Sequence, residues 1–159
     1  MGRVLGDAEL ETELTAARER GEVVVLTNGC FDLLHPGHLA FLREAKSLGD
    51  ILVVGVNSDD AALRLKGPGR PLVADVDRAE LVAALAPVDL VVIYPELRAD
   101  ELIRRLRPAV YVKGGDFPPD TLPEAPTAAE LGVGVRVIPY RHGYSTAGQL
   151  QRARDVGGA

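Results

Sequence analysis

Tryptophan is missing from this chain, cysteine occurs once, and only 4% of the residues are aromatic. With Cys30 alone no intrachain disulfide can form, so the fold must rest on an apolar core, and the cytoplasm is the expected location. No apolar run nears the ~20 residues that cross a bilayer. The stretch from Met1 to Asp7 also lacks the apolar segment of a signal peptide. Gly2 does not mark a myristoylation site, because Gly6 stands where Ser or Thr is required. Positive charge is in deficit as well, with a formal net charge of −5. That balance argues against a nucleic-acid partner, whose phosphates call for a basic face, while leaving room for one small anion in a local basic site. Neither nucleic acid nor membrane is expected as a partner.

What is present is 159 residues, 47% hydrophobic and 26% charged, enough for one α/β domain with a single core. Short runs rich in Val, Ile and Leu alternate with amphipathic stretches, the pattern of a parallel sheet covered by helices. Strands are predicted over 22–26, 51–56, 90–93, 109–112 and 135–138, and helices over 36–48, 75–85, 98–107, 121–131 and 145–154. The reading is a three-layer Rossmann-like fold, a five-stranded parallel sheet with helices on both faces. Residues 1–21 read as an N-terminal helical extension, helix 7–20 closed by Gly21, with acidic residues in its first turn and basic ones in its last. Residues 22–154 form the main domain, and 155–159, without periodicity, a frayed tail.

The most informative stretch runs from Val23 to Leu39, where a buried strand enters a loop and then a helix. That places the loop at the carboxyl edge of the sheet, where α/β proteins bind ligands. Pro36 can occupy the first helical turn without losing a hydrogen bond. Gly37 removes a Cβ, so a phosphate can approach the backbone at a helix start that offers free N–H groups. His35 and His38, three apart, can face one ligand and stabilise charge developing on a reacting phosphate. A zinc pair or two capping histidines are the alternatives, but Cys30, Asp32 and His142 have no spacing suited to completing a metal set, so no metal ligand is assigned.

The segment from Gly29 to His38 resembles the Gly-x-Phe-Asp-x-x-His-x-Gly-His motif of the cytidylyltransferase-like nucleotidyltransferases. Further motifs follow in the family's order: Asn57-Ser58-Asp59, the run from Arg64 to Pro71, and Val112-Lys-Gly-Gly-Asp116. Together they look most like the adenylyltransferase domain of ADP-heptose synthases, which make ADP-heptose and pyrophosphate from ATP and a heptose 1-phosphate. The resemblance implies catalytic roles for His35, His38 and Lys66, and a loop ordered by Asp32. It implies a nucleotide pocket of Thr27, Asn28, Gly29, Cys30, Phe31, Asp32, Gly37, Lys113, Gly114 and Gly115, with Gly143, Tyr144, Ser145 and Thr146 at the second phosphate motif. Phe31 has the alternative of packing as a core residue under the loop.

Substrate contacts are implied for Asn57, Asp59, Lys66, Arg78 and Asp116. Ser58 reads as a helix cap. Arg78 has the alternative of an ion pair with Asp75 or Asp77, and Asp116 that of capping its own turn. Arg64 and Arg70, in the same Gly-rich basic loop as Lys66, stay unassigned. Some cytidylyltransferases carry an acidic residue where Gly115 stands, and an arginine where Tyr140 stands with Arg141 one step later. His142 reads as solvated. Magnesium is expected to arrive with the triphosphate, ATP or CTP, and the second partner is a phosphorylated small molecule, a sugar 1-phosphate. The kinase domain fused to many such enzymes is not in these 159 residues. Transfer from CTP to glycerol 3-phosphate, FAD synthesis, and a non-catalytic nucleotide-binding regulator are the competing readings. A homodimer is a further expectation from the resemblance.

Overall fold

Side chains alternate between two cores along every central strand, and this alternation builds three layers. The computed structural model describes residues 1–158. In chain order the elements are β1 (Arg3–Val4), α1 (Asp7–Glu19), β2 (Val24–Gly29), α2 (Pro36–Lys46), β3 (Ile51–Asn57), α3 (Asp59–Lys66) and α4 (Asp75–Ala83). There follow β4 (Leu90–Tyr94), α5 (Asp100–Leu106), β5 (Val110–Gly114), α6 (Ala125–Leu131), β6 (Gly134–Ile138) and α7 (Thr146–Gly157). All pairings are parallel, in the order β1-β4-β3-β2-β5-β6.

Val24, Leu26, Val53, Leu90, Val92 and Tyr111 face one core, closed by Leu10 and Leu14 of α1, Leu102, Ile103 and Leu106 of α5, and Ala128 of α6. Val25, Leu52, Val54, Val56, Val91 and Val112 face the other, closed by Leu42 and Ala45 of α2 and by Ala79 and Val82 of α4. Helix α7 buries none of its residues and lies outside both cores.

The sheet has six strands, where five were expected. The sixth is β1, inside the segment read as purely helical. Two residues carry no periodicity; what makes them a strand is the main-chain ladder to Ala83, Asp89 and Val91. Lys66 and Arg64, expected in a loop, instead form the last turn of α3, capped by the Ser58 hydroxyl at its start. Residues 155–157 continue α7 rather than fraying, and Ala159 lies outside the described residues.

Strand β2 sits between β3 and β5. The chain leaves it through α2 toward β3 and returns to its other side only at β5. Such a reversal opens a crevice at the carboxyl ends of the strands, and the loops after β2, β5 and β6 meet there. Thr27 holds this centre: its buried hydroxyl donates to the Val112 carbonyl at 2.8 Å, tying β2 to β5.

Candidate active site

A cavity of about 730 Å³ opens at that crevice, in the range of small-molecule sites. Residues 28–32, His35, Gly37 and His38 line it from the end of β2 through the start of α2, Lys66 from α3, Lys113 and Gly114 from β5, and Ser145 and Thr146 from the start of α7. These groups, read separately from the sequence, converge. Arg70, Glu44, Tyr140 and Arg141 also line it. Its charged side chains are Lys66, Arg70, Lys113 and Arg141 against Asp32 and Glu44, a positive excess in an acidic chain.

Local chain geometry sets the two histidines. Phe31 adopts a positive φ of 49°, which turns the chain sharply out of β2. Its side chain is buried against the core, and its ring also packs against His38 with centroids 5.3 Å apart. His35 is the N-cap of α2, its Nδ1 accepting from the His38 N–H at 3.3 Å, so its proton belongs on Nε2. The two imidazoles stack, centroids 3.8 Å apart and planes 20° from parallel. Tyr144 covers the outer face of His35 at 6.3 Å, and the Arg141 guanidinium lies 5.2 Å over the Tyr144 ring. Gly37 is required by this packing: a Cβ there would stand 2.9 Å from His35 Nδ1 and 3.0 Å from Tyr144 Cβ.

Burial lowers the pKa of both rings, and the neighbouring His35 adds to the effect at His38, which falls to about 4. Both imidazoles are therefore neutral near pH 7. His38 Nδ1 is buried with no hydrogen-bond partner among the described residues, an unsatisfied atom of the kind found at functional sites.

Asp32 ties the motif loop to the segment that follows α3. Its carboxylate accepts from Arg70 Nε at 2.6 Å and from the Leu72 and Val73 N–H groups at 2.8 and 3.0 Å. Burial opposes the charge, and these hydrogen bonds outweigh it, so the carboxyl titrates below its ordinary value. Lys113 rests on Asn28 Oδ1 at 3.1 Å, and Tyr94 and Tyr111, both fully buried, clamp the same amide through their hydroxyls at 2.7 Å. Burial draws the Lys113 pKa down and pushes Tyr94 up to about 12. Burial also pushes the Cys30 thiol up, and its Sγ–H donates to Asn57 Oδ1 at 3.6 Å, so it offers no thiolate nucleophile.

At the start of α7, Ser145 Oγ accepts from the Gly148 N–H at 3.0 Å as the N-cap, and Thr146 Oγ1 donates to the Leu33 carbonyl at 3.3 Å. Two helix starts, of α2 and α7, thus border one basic cavity, the arrangement that favours a polyanion.

Several expected contacts are corrected by burial or by position. Arg78 is wholly buried and all of its bonding is internal: Nε to the Val73 carbonyl, and the terminal nitrogens to the Cys30 carbonyl at 2.5 Å and Asp59 at 2.8 Å. It braces the motif loop and does not line the cavity. Asp59 is its partner. Asn57 is buried, donating to the Glu96 carbonyl, and Thr27 is enclosed between strands. Tyr144 supports His35 from outside the cavity, with Gly143 supplying the positive-φ turn before it. Gly115 is buried beneath the Phe117 ring, and Asp116 is exposed and off the cavity wall. Arg70 was left unassigned by sequence; its signal was the Asp32 of the motif, which needed a cation.

The fold and site define a Rossmann-like α/β protein with a basic crevice and paired neutral imidazoles. The chain belongs to the cytidylyltransferase-like family, whose model matches residues 26–147. It is 46% identical over 92% of its length to the bifunctional protein HldE of Syntrophotalea carbinolica, covering 30% of that protein. It is 43% identical over 95% of its length to that of Photobacterium profundum, covering 32%. The chain thus spans about a third of the curated relatives it matches. A crystal structure of the lipopolysaccharide core biosynthesis protein from Thermoplasma volcanium superposes with a TM-score of 0.62 at 28% identity, covering 76% of this chain and 98% of that one. Among the described residues, no helix is long and apolar enough to cross a membrane.

Proposed function

We propose that this chain is a nucleotidyltransferase that moves AMP from magnesium-bound ATP to a sugar phosphate, a heptose 1-phosphate, giving an ADP-sugar and pyrophosphate. The observation that carries the reading is the stacked His35–His38 pair at the start of α2, with the start of α7 packed beside it, on the wall of a cavity rich in cations.

Chemistry fits that arrangement. A phosphate monoester is largely dianionic at pH 7, so the acceptor oxygen needs no general base. It attacks the α-phosphorus in line; the new P–O bond forms as the bond to the β-phosphate bridging oxygen breaks, and pyrophosphate leaves with the electron pair. What the protein must supply is alignment and neutralisation of charge. Neutral imidazoles suit this role, because Nε2–H of His35 can donate without having to lose a proton. Lys66 and Lys113 add charge, and the free N–H groups of α7 hold the departing pyrophosphate. The magnesium belongs to the triphosphate as substrate.

Gly115 favours ATP over CTP, and the likenesses to known proteins favour a sugar over another acceptor. At Gly115, φ +157°, a Cβ would stand 2.1 Å from the Phe117 ring, so the acidic residue that some cytidylyltransferases carry there would strain the backbone and displace that ring. The resemblance to ADP-heptose synthases, the likeness to HldE proteins and the lipopolysaccharide-related crystal structure all support a sugar phosphate acceptor. The test is pyrophosphate release across ATP, CTP, GTP and UTP, each with heptose 1-phosphate, glycerol 3-phosphate and flavin mononucleotide. Release only with ATP and heptose 1-phosphate is expected. Faster release with CTP, or nucleotide binding with no release on any acceptor, overturns the reading.

A further inference from the structure

We propose that Arg70 is the acceptor-side phosphate ligand of this site, a guanidinium fork aimed by Asp32 to receive the phosphate of the incoming sugar. The assignment rests on the adenylyl-transfer reading and goes beyond it in naming the residue that selects a phosphorylated acceptor.

Only Nε of the Arg70 guanidinium is engaged, at 2.6 Å on Asp32, and neither terminal nitrogen makes a hydrogen bond among the described residues. Those nitrogens are also absent from the buried, unsatisfied atoms, so they face open space, and the side chain lines the cavity while remaining only 18% exposed. Asp32 is 2% exposed and is pinned in turn by the Leu72 and Val73 N–H groups. The fork is therefore oriented before any ligand arrives, and a fork with two parallel N–H donors matches a phosphate.

Topology says which phosphate. The two walls of the crevice come from opposite sides of β2. Lys113, Arg141 and the start of α7 stand on the β5–β6 side, whereas Lys66 and Arg70 come from the connection after β3. A triphosphate laid against the two helix starts leaves the β3 wall to the second phosphate, which must lie opposite the leaving group for in-line attack. Gly67 and Gly69, at φ +92° and +81°, turn the chain after α3 and bring Arg70 back to Asp32. The arginine expected on sequence grounds to take a phosphate, Arg78, is wholly buried off the cavity wall, each of its three nitrogens bonded within the protein.

Calorimetric titration of heptose 1-phosphate, and separately of magnesium α,β-methylene-ATP, into the unmodified protein, Arg70→Lys and Arg70→Ala tests this. Arg70→Ala is expected to weaken the sugar phosphate at least ~10-fold and the nucleotide by less than about threefold, with Arg70→Lys between, since it keeps the charge and loses the fork. Equal weakening of both ligands, the signature of a loop that has merely lost its tether, overturns the assignment, and so does no change in either. If the unmodified protein takes up no heptose 1-phosphate, the acceptor reading fails on its own. Arg70 is then judged by inorganic phosphate titrated into the nucleotide-bound protein: binding lost in Arg70→Ala supports it, and binding that is absent from the unmodified protein or equal in both overturns it.

Discussion

A histidine that titrates near 4 is a poor cation and a dependable hydrogen-bond donor at neutral pH. His38 acquires that property from burial beneath Phe31 and from the His35 ring stacked on it. Replacing His38 with Ala should lower turnover by ~10²-fold or more, the usual scale for one transition-state donor, measured as pyrophosphate release. A near-normal rate would remove the ring from the chemistry. Stability carries the same signature. The unfolded chain holds the His38 proton with an ordinary pKa of 6.5 and the folded one with about 4, so acid favours unfolding. The neutral ring's contribution is complete above pH 6.5 and lost as pH falls through about 4. Thermal unfolding from pH 8 to 4 should show the unmodified protein falling further than His38→Gln over that window; parallel curves would contradict it. The histidines were legible in sequence because their spacing fixes a shared helix face. Their depressed pKa values were not, because burial depends on the Phe31 ring folding back to pack against His38.

Elements built from apolar runs were legible, and those held by main-chain bonds or by one buried ion were not. Strands β2 to β6 and helices α1, α2, α4, α5, α6 and α7 follow from hydrophobic pattern and punctuation, whereas β1 is two residues long and exposed. Arg78 is the case between. It stands in the first turn of α4, where the helix dipole disfavours a cation, and that misfit was the available sign of a special role. Its guanidinium joins α4 to the Cys30 carbonyl and to Asp59 at the start of α3. Arg78→Met should cost roughly 2 kcal/mol or more by stranding the buried carbonyl and loosening the motif loop, read as a fall in the denaturation midpoint. A midpoint unchanged within error would contradict the bracing role.

At the scale of the whole molecule, the crevice exists because β3 and β5 flank β2, so loops distant in sequence meet at one edge. Motif order therefore revealed the site as a set, while the inward or outward facing of each loop residue awaited the packing; Asp116 and Arg70 exchange expectations for this reason. The far edge of the sheet is closed by β1 through the Gly2, Arg3 and Leu5 N–H groups. Removing residues 1–5 strips those bonds and bares β4, and should lower the melting temperature by roughly 5–10 °C; an unchanged melting temperature would show that β1 adds nothing. The most direct measurement is a crystal structure with magnesium and α,β-methylene-ATP. The expected result places the triphosphate within hydrogen-bonding distance of the His35 and His38 rings and of the main-chain N–H groups opening α7. A nucleotide bound elsewhere, or one that leaves both imidazoles untouched, would contradict it.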